Sequence, residues 1–478
     1  MKGLVVAANR LPIELGPGGQ LSTSPGGLAS ALSSVTLAGT QWVGWAGPEA
    51  GRAKPFDHGD LRLHPVALSE DEVVRYYRGF SNAILWPLFH GRLRKVELNR
   101  AWWHSYRIVN RRFAAAVTRI APQGGTVWVH DYHLLLAPAI IRAKRPDLRI
   151  GFFLHIPFPN AQLFSMLPWR KEVIRGMLGA DVLGFQIPDD VANFVAAAER
   201  IVDARVRGHI VFDGFHTVDV DAFPISIDFA HWDELGGCVM AEASRQREVL
   251  GVKSVFLGID RLDYTKGISQ RLRAFGELLD EGQLDPETCS FVQVAVPSRS
   301  DVAAYEDERE EVEHLVELIN SKHQRADGSL PVVYMDSSLD EIQMATWFRT
   351  ADALVVTSLA DGMNLVAKEF VAARGDLNGT LILSEFAGAA QDLEGALIVN
   401  PYDIEAIKRA LVAAIHMPLG ERAARLKTMR AAVRHNDVHR WARNFLDRLQ
   451  STAAVRAGDL ALRTDAAVAG SEVVRKLR

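Results

Sequence analysis

The stretch ADALVVTSLADGMNLVAKEF (351–370) carries the fold in miniature. Its first eight residues are an apolar run without alternation, ending at Thr357-Ser358, which suits a strand buried on both faces of a parallel sheet. Gly362 permits a sharp turn, and a run with helical spacing starts near Asn364. Free N–H groups and the helix dipole at such a start favour a phosphate. Glu369, five residues further on, lies about 7.5 Å along the helix. That reach suits a ribose, whose vicinal hydroxyls a carboxylate accepts in pairs. Taken alone, the same residues also describe an ordinary helix start with one solvated glutamate.

The pattern recurs in both directions along the chain. GLVVAANR (3–10), TVWVHDYH (126–133), IGFFLHIPFP (150–159), ADVLGFQ (180–186), SVFLGIDRLD (254–263), FVQVAVPS (291–298), PVVYM (331–335) and GTLILSEFAG (379–388) are similar runs, separated by helix-period stretches. Among those, 301–320 places Tyr305, Val312, Leu315, Val316 and Ile319 on one face of a charged helix, and 400–417 reads as an Ala/Ile-rich helix. The succession predicts an α/β protein of βαβ units. A boundary near Phe223-Pro224-Ile225-Ser226 divides it into a Rossmann-like domain over 1–226 and a second over 227–450. The tail 451–478 lacks a strong apolar period.

Bulk properties narrow the class. The 478 residues suggest two to three domains at roughly 150 residues each. Apolar residues make up 48% and charged residues 23%, a globular balance. Lys+Arg total 54 against Asp+Glu 58, a net charge of −4 that speaks against a nucleic-acid platform. Two cysteines, Cys238 and Cys289, cannot build a disulfide framework and fit a reducing cytoplasm. The N-terminal apolar run stops at Asn9-Arg10, too short for a signal peptide. Residues 15–48 carry no charge, but Gly, Ser, Thr and Pro interrupt them, so no membrane span is expected.

Ligands of open parallel sheets collect beyond the carboxyl ends of strands. The polar residues there are Asn9-Arg10, His130-Asp131-Tyr132-His133, His155, Asp260-Arg261 with Lys266, Ser298-Arg299, Asp361 and Glu385. Cations on both halves imply anions on both sides of a cleft. Arg261 offers a planar fork and Lys266 a mobile point charge, on a loop closed by Gly267. Neither a Walker GxxxxGK[ST] nor a GxGxxG motif occurs. Asp219 and Asp221 form an Asp-x-Asp that a divalent metal or a structural role would explain. His130, Asp131 and His133 resemble a metal cluster, but alternation points them to different faces. Gly18-Gly19 and Gly26-Gly27 lie in an uncharged loop able to close over a ligand. The nearby aromatics Trp42, Trp45, Tyr76, Tyr77 and Trp86 read equally as core or as a sugar platform.

Nine collinear motifs go further. ANRLP (8–12), SPGGLASAL (24–32), WVGWAG (42–47), YYRGFSNAILWPLFH (76–90), VHDYHLLLAP (129–138), HIPFP (155–159), GIDRLDYTKG (258–267), QVAVPSR (293–299) and DGMNLVAKEF (361–370) resemble the trehalose-6-phosphate synthases. These are retaining glycosyltransferases with two Rossmann-like domains facing a deep cleft, the GT-B architecture. The resemblance spans 3–445, and no Asp-x-Asp-x-Thr phosphatase motif accompanies it. It implies that Arg10 and Arg299 hold the phosphate of glucose 6-phosphate, with Trp42, Tyr77, Trp86 and Asp131 lining that acceptor site in the first domain. Arg261 and Lys266 then meet the donor diphosphate, and Glu369 the donor ribose. His155 and Asp361 reach the transferred glucose, Gly362, Met363, Asn364 and Leu365 give main-chain contacts, and Gly27 belongs to the loop over the donor.

The implied reaction moves glucose from UDP-, ADP- or GDP-glucose to O1 of glucose 6-phosphate with retention. Arg261, Lys266, Asp131, His155 and Asp361 form its catalytic set. No cofactor and no resident metal are implied, a divalent cation being at most stimulatory. A cytoplasmic homo-oligomer, dimer or tetramer, without nucleic-acid or membrane partners is expected. Other readings are a transferase for another polyol phosphate or pseudo-sugar, a non-catalytic nucleotide-sugar sensor, a glycosidase using Asp131 and Asp361 as a pair, and a lipid glycosyltransferase. The phosphate-binding cations disfavour the glycosidase, and the absence of a basic amphipathic helix or apolar anchor disfavours the lipid enzyme.

Overall fold

The computed structural model describes residues 3–16, 21–23, 32, 35, 39–48, 53–92, 97–214, 216–297 and 303–452. Its strands are β1 Leu4–Arg10, β2 Ile13–Leu15, β3 Leu21–Thr23, β4 Gln41–Trp45, β5 Phe56–His58, β6 Leu61–Pro65, β7 Thr126–His130, β8 Arg149–Phe153, β9 Val182–Phe185, β10 Arg205–Arg207, β11 Ile210–Phe212 and β12 Thr217–Ala222. They continue as β13 Ser254–Arg261, β14 Cys289–Val296, β15 Val332–Met335, β16 Ala353–Val356, β17 Thr380–Ser384 and β18 Leu397–Val399. Two compact units result. The first comprises 1–89, 93–223 and 442–478, and the second 90–92 and 224–441.

The first unit is built on a sheet in the order β10-β11-β12-β9-β8-β7-β1-β4-β6-β5. Its strands from β12 to β6 in that order are parallel, with antiparallel β10 and β11 at one edge and β5 at the other. Strands β7, β8 and β9 are buried on both faces apart from Arg149, as their apolar runs predict. From β1 the chain proceeds outward to β4 and β6, then returns to β7 on the other side and proceeds to β8, β9 and β12. The switch point therefore lies between β1 and β7, whose ends carry Asn9-Arg10 and His130-Asp131.

The second unit repeats the plan with a fully parallel sheet, β15-β14-β13-β16-β17-β18. Its switch point lies between β13, ending at Arg261, and β16, which leads to Asp361. Phe256, Phe275, Phe291, Leu272, Leu278 and Leu411 belong to the core on its faces. The charged helix forms over Ala303–Lys322, with Tyr305, Val312, Val316 and Ile319 buried. The Ala/Ile-rich helix begins only at Ile404, because Asp403 caps it by accepting from the Ala406 N–H.

The expected domain limits need one correction. Residues 442–452 belong to the first unit, not to a second domain running to 450. The physical reason is Phe445, fully buried, whose ring stacks on Trp128 at 4.9 Å and meets Phe153 and Phe223 edge-on. Gly151 and Gly184 make room for it, since a Cβ at either would come within 2.6 or 2.8 Å of its ring. Of the tail expected from 451, only Ser451 and Thr452 lie within the described residues, and they finish the helix over 438–452. Among the described residues no helix is long and apolar enough to cross a membrane.

Candidate active site

Each switch point carries a cluster of the residues singled out above. In the first unit, Arg10 at the end of β1 donates to the Glu14 carboxylate, and its guanidinium lies 5.0 Å from the Trp45 ring centre and 5.5 Å from that of Tyr77. Glu14 and Trp45 thus aim Arg10, a role with no spacing signal in the sequence. Trp42 is only 1% exposed, and its indole N–H donates to the Arg10 carbonyl at 3.2 Å. It braces the arginine turn from within the core instead of offering a face to a ligand. Tyr77 stacks on His133 with ring centres 5.7 Å apart, and Trp86, buried, tilts against Tyr132 at 5.7 Å. Tyr77 and Trp86 belong to the Val73–Phe89 segment, whose first thirteen residues wind in the wide π form that gathers at functional sites.

Asp131 follows β7 with φ 74° and ψ 168°, a region that is almost exclusively glycine territory. Its N–H donates to Phe153 C=O at 2.8 Å, and its Oδ1 accepts from the His155 N–H at 3.2 Å. His155 Nε2 meets His130 Nδ1 at 3.1 Å, so one ring donates to the other. Burial lowers the His155 pKa to about 3 and carries His130 well below its ordinary value. Both imidazoles are neutral at physiological pH. Asp131 and His155 with its histidine neighbour are therefore assembled at the ends of β7 and β8, and Arg10 ends the adjacent β1. His130, Asp131 and His133 do not form a group with metal-like spacing among the described residues: His130 Nδ1 meets His155, and the His133 ring lies between Tyr77 and Tyr132.

In the second unit, Lys266 Nζ donates to Asp361 Oδ2 at 2.5 Å. Asn364 Nδ2 and Ser358 Oγ donate to the same oxygen at 3.1 and 3.3 Å. Burial opposes ionisation of Asp361, but the Lys266 ammonium and these hydrogen bonds outweigh it and hold the carboxyl below its ordinary value. Asn364 itself sits at φ 81° and caps the Leu365–Ala373 helix through Oδ1 and the Ala367 N–H at 3.0 Å. Gly362, Met363 and Leu365 flank it, so the main chain of 362–365 forms the helix entrance. Arg261 is half-exposed at the end of β13, 4.0 Å from Asp263. Asp263 is buried and anchors the loop by accepting from the Thr265 N–H, the Thr265 hydroxyl and Tyr305 Oη.

Beneath this loop Arg271, fully buried, donates to Asp260 at 2.7 Å, Gln293 at 2.8 Å and Val355 C=O at 3.2 Å. Gly258 is required there, since a Cβ would lie 2.5 Å from Gln293 Oε1. Glu369 lies one turn into the Leu365–Ala373 helix, and its Oε2 is closed off from solvent without a hydrogen-bond partner. Burial, with the Glu341 carboxylate as a second cause, raises its pKa to about 8. A buried acceptor without a donor is a place for a ligand hydroxyl. Neighbouring Lys368 is structural, donating to Asp392 at 2.6 Å and to Ile225 C=O at 2.9 Å.

Gly18-Gly19, Gly26-Gly27, Ser298 and Arg299 lie outside the described residues. The Asp-x-Asp is structural: Asp219 accepts two bonds from Arg448 at 2.6 and 3.1 Å, and Asp221 Oδ1 accepts from the Ala222 N–H. Among the described residues the acidic group with metal-like spacing is Glu277, Glu281 and Glu405. The Lys408 ammonium already pairs with all three.

Known proteins resemble this chain in sequence and fold. The family model of glycosyltransferase family 20 matches residues 4–451. A trehalose-6-phosphate synthase of Mycolicibacterium smegmatis is 46% identical over 468 residues, covering 94% of this chain and 92% of the relative. The solved alpha,alpha-trehalose-phosphate synthase (UDP-forming) of Burkholderia xenovorans, in complex with glucose-6-phosphate, superposes with a TM-score of 0.87 at 36% identity. It spans 94% of this chain and 100% of its own. The trehalose-6-phosphate protein from E. coli bound with UDP-2-fluoro glucose gives 0.85 at 34% identity, over 93% and 98% of the two chains.

Proposed function

The chain belongs to glycosyltransferase family 20, and on that premise we propose that it transfers glucose from a nucleoside diphosphate glucose to glucose 6-phosphate with retention, releasing α,α-trehalose 6-phosphate. The observation that carries this reading is the knot of Lys266, Asp361 and Asn364 at the entrance of the Leu365–Ala373 helix. It places a cation and a helix N-terminus together at one switch point, with an unpartnered carboxyl oxygen of Glu369 one turn away. Those three features suit a diphosphate, its ribose and the hexose they carry.

The chemistry needs negative charge stabilised on the leaving diphosphate. Lys266, Arg261 and the helix dipole supply positive potential that is in place before reaction. Lys266 is oriented by Asp361 at the helix entrance. The acceptor must be held at near-attack distance, and its phosphate gives Arg10 and Arg299 a handle remote from the reacting hydroxyl. Attack comes from the face the diphosphate leaves, and a leaving phosphate oxygen takes the proton of the acceptor hydroxyl. Asp361, ionised and accepting from three donors, orients the transferred sugar and is a poor nucleophile. Neutral His155 serves as a hydrogen-bonding group and not as an acid.

This reading puts donor binding in the second unit, acceptor binding in the first, and the reaction in the cytoplasm where hexose phosphates are made. Mixing the protein with UDP-, ADP- and GDP-glucose and glucose 6-phosphate, then identifying the disaccharide phosphate by NMR, tests it. An α,α-1,1 linkage is expected. Hydrolysis of the donor without a disaccharide product would overturn the reading.

A further inference from the structure

Two side chains of the Arg100–Ile120 helix satisfy four main-chain groups in the turn after β7. Tyr106 Oη donates to Tyr132 C=O at 2.7 Å and accepts from the Leu135 N–H at 3.1 Å. Asn110 Nδ2 donates to His133 C=O at 3.0 Å, and its Oδ1 accepts from the Leu136 N–H at 3.1 Å. Both residues are fully buried, and their spacing of four sets them on one helix face. Tyr76 reinforces the hold from the π-wound segment, donating to Asn9 Oδ1 at 2.8 Å with its hydroxyl 3.5 Å from His133 C=O.

The residue just ahead of this turn is Asp131. With φ at 74°, an aspartate left to itself would swing back to negative φ. That rotation would turn its carboxylate away from the His155 N–H. Bonds at residues 132, 133, 135 and 136 leave the turn one course, and strain of this kind persists only where the surroundings over-determine it. Packing alone does not account for a buried amide and a buried phenol that spend four hydrogen bonds on four residues of one turn.

We propose that Tyr106 and Asn110 are positioning residues for glucosyl transfer, holding Asp131 in its strained conformation so that its carboxylate faces the acceptor sugar. The inference rests on the first unit being the acceptor site. Neither residue touches substrate; both act through Asp131.

The test is a double-mutant cycle read by calorimetric binding of glucose 6-phosphate to the full chain. In the wild-type background Tyr106→Phe is expected to weaken binding about tenfold. In an Asp131→Ala background, which still binds the phosphate through Arg10, the same change is expected to weaken it less than twofold. Equal losses in both backgrounds, or no loss in either, would overturn the proposal. Asn110→Ser runs the same cycle should Tyr106→Phe fail to fold, and binding of a nucleoside diphosphate to the second unit certifies each variant. Wild-type protein that binds no glucose 6-phosphate overturns the acceptor reading and this inference with it. That pattern is distinct from firm wild-type binding with an indifferent Tyr106→Phe.

Discussion

Lys266 Nζ and Asp361 Oδ2 lie 2.5 Å apart, joining the loop after β13 to the turn after β16 across the switch point of the second sheet. The pair is nearly closed to solvent, with side-chain exposures of 12% and 14%. It holds the ammonium at the helix entrance, where the proposed diphosphate would be met, and keeps it from folding back into solution.

Lys266→Ala is expected to lower kcat at saturating acceptor by roughly 10²–10³, the loss typical of removing one preorganised charge-stabilising donor. It also strands the Asp361 carboxylate, so stability should fall by about 3 kcal/mol. Steady-state kinetics and urea unfolding separate the two effects. A kcat within twofold of wild type would show that Lys266 does not serve the leaving group.

Arg10→Ala is expected to raise the KM for glucose 6-phosphate by roughly 10–100-fold, as a charge-assisted contact worth about 1.5–3 kcal/mol is lost. Trp45, stripped of its cation, should become less quenched, giving a fluorescence readout. Affinity for a nucleoside diphosphate should be unchanged. If nucleotide binding collapsed in this variant, the division of labour between the units would be wrong.

Glu369 gives a pH signature. Its folded pKa of about 8 stands above the unfolded value of 4.5, so the folded protein retains a proton that the unfolded chain has lost between those values. The stability of the ligand-free protein is therefore expected to fall as pH rises across that window. Ribose hydroxyls donating to the carboxylate favour its ionised form, so nucleotide binding should release a proton at pH 7 and tighten as pH approaches 8. Calorimetry in buffers of different ionisation enthalpy measures that release. Glu369→Gln should abolish it, weaken nucleotide binding and raise the melting temperature at pH 9. A variant that releases the same proton would assign it elsewhere.

Gly267 opens the Ile268–Asp280 helix at φ 61°, and a Cβ there would fall 2.1 Å from Thr357 C=O. Gly267→Ala must push apart the Lys266 loop and β16, and is expected to cost about 3 kcal/mol. Nucleotide affinity should fall with it, and denaturant titration with and without nucleoside diphosphate measures both. Wild-type stability in this variant would mean that the loop and strand tolerate separation.

Much of this was legible in the residues. Apolar runs without alternation identify the parallel strands, and asking which polar groups end them leads directly to Arg10, Asp131, His155, Arg261, Lys266 and Asp361. Asn364 starts its helix where composition says it should. What was hidden depends on contacts distant in sequence. Phe445 lies in an ordinary amphipathic run, and only the glycines at 151 and 184, far earlier in the chain, reveal that it returns to the first unit. Trp42 and Trp45 look alike in WVGW, yet one indole braces the Arg10 carbonyl while the other faces its guanidinium. The Asp219-x-Asp221 spacing is indifferent to whether a metal or Arg448 fills it. Strain at Asp131 has no sequence signal, because aspartate is common in ordinary turns.

The central claim is that each unit anchors one phosphoryl group at its own switch point. A crystal structure of the protein with nucleoside diphosphate and glucose 6-phosphate measures this directly. The diphosphate is expected within hydrogen-bond distance of Lys266, Arg261 and the main chain of 362–365, and the hexose phosphate at Arg10. Either phosphoryl group bound away from its switch point, or both bound in one unit, would contradict it.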